Sequence, residues 1–286
     1  MNVYKQIFVN EGGVMKKRKV PRRGRRRRKT IGDHISTLIL IIAIVVLVVC
    51  GYKLYQIQSG YWEGDKDYKE LKELAIQEND ETGEDADAST EPRYTIDFGA
   101  LEGVNSDIKA WLRFDEPAII DYPVVQGRDN EVYLHRTLSG YDNTMGAIFI
   151  NAGNKADFTD RHTIVYGHNM NNGSMFGELD SYNARSFWEQ YPYFYIYTPD
   201  GAEIRYKIVA AGVVLSNSDL YQYAFASDED FEQFLGLLNR TALYDTGASL
   251  NKDSQIVTLS TCTAATGENR FIVSGVKDEV RVPRGQ

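Results

Sequence analysis

At 286 residues, 43% hydrophobic and 25% charged, the chain can bury the core of one domain of about 150 to 200 residues and still carry appendages. Its two cysteines, one of them inside an apolar span, exclude a disulfide-stapled fold. The net charge of −8 conceals a split: residues 1–30 hold 12 Lys and Arg against Glu11 alone, giving +11, and the remainder holds 20 against 39 acids, giving −19.

The N-terminal segment, residues 1–34, is basic, with eleven Lys and Arg between Lys16 and Lys29. Residues 35–52 follow as eighteen uncharged, Ile/Leu/Val-rich positions, about 27 Å long as a helix and just able to span a bilayer. Tyr52, Tyr55, Tyr61 and Trp62 on the far side suit a membrane interface. The basic flank predicts a cytoplasmic N-terminus and an extracellular bulk in a single-pass protein of the cell membrane. No Ala-x-Ala-like site follows the span, and Val48-Val49-Cys50 lacks the small residue that lipoprotein processing requires. An uncleaved signal anchor is therefore expected. Beside such a span the Arg-rich arm reads as a topology signal contacting anionic lipid, and nucleic acid is not an expected partner.

Residues 53–93 read as an acidic linker, partly helical. Asp65 to Glu78 spaces Tyr68, Leu71, Leu74 and Ala75 on one helical face, whereas Asn79 to Pro92 is acidic, poor in apolar residues and expected to be disordered and extended. Residues 94–286 form the expected extracellular domain. It is mainly β, with short apolar runs at Ala118–Val125, Ala147–Ile150, Thr163–Tyr166, Tyr193–Tyr197, Ile204–Gly212, Gln255–Leu259 and Phe271–Val276 broken by Gly, Asn, Asp and Pro. Without regular intervening helices they predict an antiparallel barrel or sandwich. Two helices are expected within it: one near Asn105–Arg113, and one at Asp228–Arg240, capped by Ser227 and packed through Phe231, Phe234, Leu235 and Leu238.

Cys262 closes the run Gln255–Leu259 in Thr-Leu-Ser-Thr-Cys and is the only cysteine outside the span. It is either a buried small hydrophobe or a nucleophile at a sheet edge. Among the histidines, His168 follows an apolar run through Gly167 and precedes a polar loop, so its ring should project from a strand end; His135 and His162 read as surface or packing residues. Arg270 lies eight residues after Cys262, at the start of the next strand. Facing the thiol across a hairpin mouth, it could donate charge-assisted hydrogen bonds to a substrate carbonyl and its oxyanion. Ser260 and Thr261 alternate in facing, so one should line a substrate groove, with Ser260 the candidate. No zinc or calcium spacing is apparent, and neither metal nor cofactor is expected.

Taken together, DYPVVQG (121–127), DNEVYLH (129–135), GAIFINAGN (146–154), VYGHNM (165–170) and TLSTC (258–262), with Arg270 downstream, resemble the class B sortases, membrane-anchored cysteine transpeptidases of Gram-positive bacteria. The resemblance implies an eight-stranded sortase-like β-barrel with an N-terminal helical piece and one late helix, preceded by the transmembrane helix. It implies a catalytic set of Cys262, His168 and Arg270. Backbone N–H groups around Thr263 would help bind the oxyanion, and Asn154 would assist the histidine, although Asn151 stands where the family's acidic residue usually lies.

The implied partners are a sorting-signal peptide of surface proteins or pilins, cleaved after threonine, and an amine of a cell-wall precursor or a pilin lysine. An L,D-transpeptidase would place histidine and arginine within two residues of the thiol, and a papain-like peptidase would place cysteine before histidine. The remaining alternatives are a non-catalytic, membrane-tethered binding module on a sortase-like barrel, or another exported cysteine peptidase.

Overall fold

The computed structural model describes residues 31–78, 91–117, 119–262 and 267–283. The basic arm (1–30), most of the acidic stretch (79–90) and Thr263, with the expectations placed on them, lie outside the described residues. The chain divides between Lys53 and Leu54 into two units.

Helix α1 (Ile31–Ala75) begins in the first unit, where Leu38 to Val49 expose only apolar side chains, and by length and composition the helix can cross a membrane. Within the second unit, the part of α1 predicted as linker does more than space. Tyr68, Leu71 and Ala75 are buried in the domain's main hydrophobic cluster, and Lys72 forms an ion pair with Asp121. The stripe read from the sequence is a packing face, because a helix presenting it to water would forfeit the burial of three side chains.

Strand β1 (Ile76–Glu78) pairs antiparallel with β2 (Tyr94–Ile96). The short helix α2 (Phe98–Val104) is capped by Asp97, whose carboxylate accepts from the Ala100 N–H at 2.8 Å. Eight further strands close into a barrel: β3 (Ile108–Phe114), β4 (Asp121–Val125), β5 (Ile148–Ile150), β6 (His162–Tyr166), β7 (Tyr193–Tyr197), β8 (Glu203–Leu215), β9 (Ile256–Cys262) and β10 (Asn269–Arg281), in the order β10-β8-β7-β3-β4-β5-β6-β9. Helix α3 (Arg185–Gln190) precedes β7, and α4 (Asp228–Thr241) lies between β8 and β9. Two pairings, β4 with β5 and β6 with β9, are parallel, a departure from the antiparallel expectation.

The helix expected near Asn105–Arg113 is a correction. Asn105 caps α2, and Ile108–Phe114 is a strand. Six of its seven residues are buried, on both faces of the barrel wall, which removes the period-two alternation that marks a half-exposed strand. Helix α4 forms where expected. The Ser227 hydroxyl accepts from the Asp230 N–H at 3.2 Å, and Phe231, Phe234, Leu235 and Leu238 pack with Val209, Val214, Ile256 and Ile272 in a second cluster. Far from α4, buried Glu203 on β8 accepts from the Arg93 N–H at 2.8 Å, from Arg93 Nε at 3.2 Å and from the Tyr197 hydroxyl at 2.8 Å, with Arg281 Nη1 at 3.8 Å.

Candidate active site

Strand β9 lies between β6, parallel to it, and β10, antiparallel. The parallel ladder runs from His162↔Ile256 to Tyr166↔Ser260, and the Gly167 N–H extends it to the Ser260 carbonyl at 3.2 Å. Two residues beyond Tyr166 and Ser260 lie His168, just past the end of β6, and Cys262, the last residue of β9. On the other side Cys262 is directly paired with Arg270. The three residues thus stand at the same end of three neighbouring strands, whose backbones are spaced about 4.8 Å apart.

His168 follows Gly167, where an added Cβ would lie 2.8 Å from two ring atoms of the buried Phe176. Only glycine lets the chain leave β6 so close to that ring. The His168 carbonyl accepts from the Phe176 N–H at 2.9 Å, fixing the backbone. Its Nε2 lies 2.7 Å from the Leu134 carbonyl oxygen. A carbonyl can only accept, so Nε2 carries the hydrogen and Nδ1 is the nitrogen left for proton exchange. His135, expected as a surface residue, is exposed and stacks near His168 with ring centroids 6.4 Å apart.

Leu134 ends a 3-10 turn (Val132–Leu134) that Asp129 starts, its Oδ1 accepting from the Glu131 and Val132 N–H groups at 3.0 Å each. Those two bonds hold the exposed Asp129 carboxyl below the usual carboxylate range. Gly146, at φ +58°, passes beneath the pair: a Cβ there would stand 2.7 Å from the Leu134 oxygen and 3.1 Å from His168 Cδ2. Leu134 acts through its backbone, so its side chain gave no signal of this role in the sequence.

Arg270 is half-buried, and its Nη1 donates to the Gly267 carbonyl at 2.9 Å and to that of Asn269 at 3.0 Å. Those bonds hold one arm of the guanidinium; among the described residues Nε and Nη2 have no partner. Tyr166 feels this cation: burial pushes its phenol well above the usual range, and Arg270 opposes that shift. Its ring stacks on Tyr221 at 6.3 Å, and the Tyr221 hydroxyl meets Ser260 Oγ at 2.8 Å.

Ser260 and Thr261, expected to flank a groove, are each 1% exposed. A central strand covered on both faces leaves neither side chain at an open surface. Asn154 is likewise occupied elsewhere. Its Nδ2 donates to the Asp160 carboxylate at 2.9 Å and the His162 carbonyl at 2.8 Å, and its Oδ1 accepts from the Ile164 N–H at 3.1 Å. It secures the start of β6 and the loop before it, and the structure does not bring it to His168, which lies beyond the strand's other end. Asp157 serves the same loop through bonds to Thr159. His162 is a packing residue, as expected: fully buried, it sits 2.7 Å from the Gln222 carbonyl through Nδ1 and 2.8 Å from Thr258 Oγ1 through Nε2.

The Sortase domain family matches residues 115–278. Sortase B of Listeria monocytogenes is 30% identical over 223 residues, covering 76% of this chain and 88% of that protein. Sortase B of Bacillus anthracis in complex with AAEK2 superposes with a TM-score of 0.65 at 28% identity, covering 77% of this chain and 97% of its own. The Staphylococcus aureus sortase B–substrate complex does so with a TM-score of 0.60 at 27% identity, over 64% of this chain and 84% of that one.

Proposed function

The chain belongs to the sortase family, in its class B branch, and on that premise we propose that this cysteine transpeptidase works through Cys262, His168 and Arg270 on the outer side of the cell membrane. The observation that most supports this reading is the register: β6, β9 and β10 bring His168, Cys262 and Arg270 to one end of adjacent strands. The basic arm and the apolar span of α1 support an N-terminus on the cytoplasmic side.

The Cys262 thiolate attacks the carbonyl carbon of the threonine in a sorting peptide, forming a C–S bond and a tetrahedral oxyanion. Nε and Nη2 of Arg270, which have no partner among the described residues, and the backbone N–H near Thr263 donate to that oxygen. As the intermediate collapses, the C–N bond breaks and Nδ1 of the His168 imidazolium gives its proton to the departing amine. A thioester remains on Cys262. The neutral Nδ1 then takes a proton from an incoming amine, which attacks the thioester and releases Cys262. Throughout, the Nε2–H bond to Leu134 keeps the ring in one orientation. The acceptor amine belongs to a cell-wall precursor or a pilin lysine. Ser260 acts behind the nucleophile through Tyr221, and Asn154 by holding the start of β6.

The test incubates the full chain in detergent with a panel of peptides of the Asn-Pro-x-Thr and Leu-Pro-x-Thr types and seeks a thioester on Cys262 by mass spectrometry. The adduct should form, be absent in Cys262→Ala, and accumulate far more slowly in His168→Ala and Arg270→Ala. A chain that forms no adduct with any peptide would instead be a binding module.

A further inference from the structure

We propose that Tyr68, on the extramembrane part of α1, is a positioning residue for His168, acting through the turn Asn143–Gly146; the inference rests on the catalytic role given to His168 above. The Tyr68 hydroxyl donates to the Gly146 carbonyl at 3.0 Å in a buried setting. Gly146 is the residue whose backbone passes under the imidazole and beside the Leu134 oxygen that accepts its Nε2–H. Its left-handed conformation, φ +58°, and the absence of a side chain permit that approach. A shift of this peptide therefore moves both the surface on which the ring rests and the neighbourhood of its acceptor.

The helix grips the same turn at two more points. Gly64 lies so close to buried Met145 that a Cβ would stand 2.4 Å from its sulfur. Asn143 Nδ2 donates to the Gly60 carbonyl at 3.0 Å, while its Oδ1 accepts from the Met145 N–H at 2.9 Å. Tyr68 itself is fixed edge-on against Tyr122, with ring centroids 5.2 Å apart. Burial raises the Tyr68 phenol far above its usual range, so its hydrogen is always present to be donated. None of these residues reaches the reacting atoms; their effect passes through the orientation of one ring, and small misplacements of a proton-transfer group cost turnover more than binding.

The test compares full-length wild type, Tyr68→Phe, Leu71→Ala and His168→Ala in detergent, measuring kcat and KM for peptide transfer across pH together with the melting midpoint. Tyr68→Phe should lower kcat about five- to tenfold, leave KM within about twofold and change the pH profile of kcat. Leu71→Ala, buried on the same helix face with no bond to the turn, should lower the melting midpoint and leave kcat within about twofold. If Tyr68→Phe fails to fold, Asn143→Ala loosens the same turn from its other tether and should show the same split. Unchanged kcat and pH profile in the folded variant, or an equal loss in Leu71→Ala, would overturn the inference. Full activity in His168→Ala would instead remove the catalytic reading beneath it.

Discussion

Mild acid should loosen this protein at His162. The ring lies at the start of β6 with no exposed surface, its Nδ1–H given to the Gln222 carbonyl and its Nε2 accepting from the Thr258 hydroxyl. Burial presses its pKa from 6.5 down to about 4, and the bond to Gln222 opposes that shift only in part. Between those values the unfolded chain binds more protons than the folded one, so stability rises with pH. The contribution is complete above about pH 6.5 and is lost as the pH falls toward 4. At ~1.4 kcal/mol per pKa unit the whole effect is roughly 3 kcal/mol, of which ~1.2 kcal/mol disappears between about pH 7 and about pH 5.5. That interval stays above the range in which ordinary carboxylates titrate. Urea unfolding of the full chain in detergent, followed by tryptophan fluorescence at both pH values, should show wild type losing ~1 kcal/mol more than His162→Gln. The rest of the chain is the same in both proteins and cancels in the comparison. Equal losses would refute the account, because they would mean that the buried ring carries no proton linkage.

Three further outcomes follow from geometry. Glu203→Gln leaves Arg93 and Arg281 without their shared carboxylate at a site where Glu203 is 1% exposed; urea unfolding should show a loss of about 3 kcal/mol. Gly167→Ala drives a methyl into the Phe176 ring and should cost about 1 to 3 kcal/mol by thermal unfolding, with a fall in kcat as His168 is tilted. Arg270→Lys keeps the charge but loses the planar donor pair, so kcat/KM for peptide transfer should fall about 10² to 10³-fold, and a value near wild type would place the oxyanion donors elsewhere.

Helix α4 was legible because every local signal agreed: a serine cap, three acids in the first turn and four apolar residues on one stripe. Most strands were legible as short apolar runs, and β7 matched residue for residue. Ile108–Phe114 misled because it is buried on both faces, so its pattern carries neither the strand's period nor the helix's. The face of α1 at Tyr68, Leu71 and Ala75 was visible as a stripe, but a stripe does not name what it packs against. Cys262, His168 and Arg270 were singled out as candidates by their places at strand ends and joined as one set by motif resemblance. Cys262 and Arg270 face each other across the hairpin that their spacing suggested, but the approach of His168 depends on a parallel pairing between β6 and β9, segments separated by the whole of β7, β8 and α4, and no local pattern encodes such a register. Asn154 illustrates the converse: its motif position was readable, but its hydrogen bonds to His162, Ile164 and Asp160 depend on how the loop folds back.

The last stave of the barrel has a consequence for the life of the chain. β10 is bonded along its length to β8 on one side and over Arg270–Val276 to β9 on the other, so the ring of strands cannot close without it. Without it β8 and β9 would each present an unpaired edge, and an open sheet of that kind is a template for pairing with other chains.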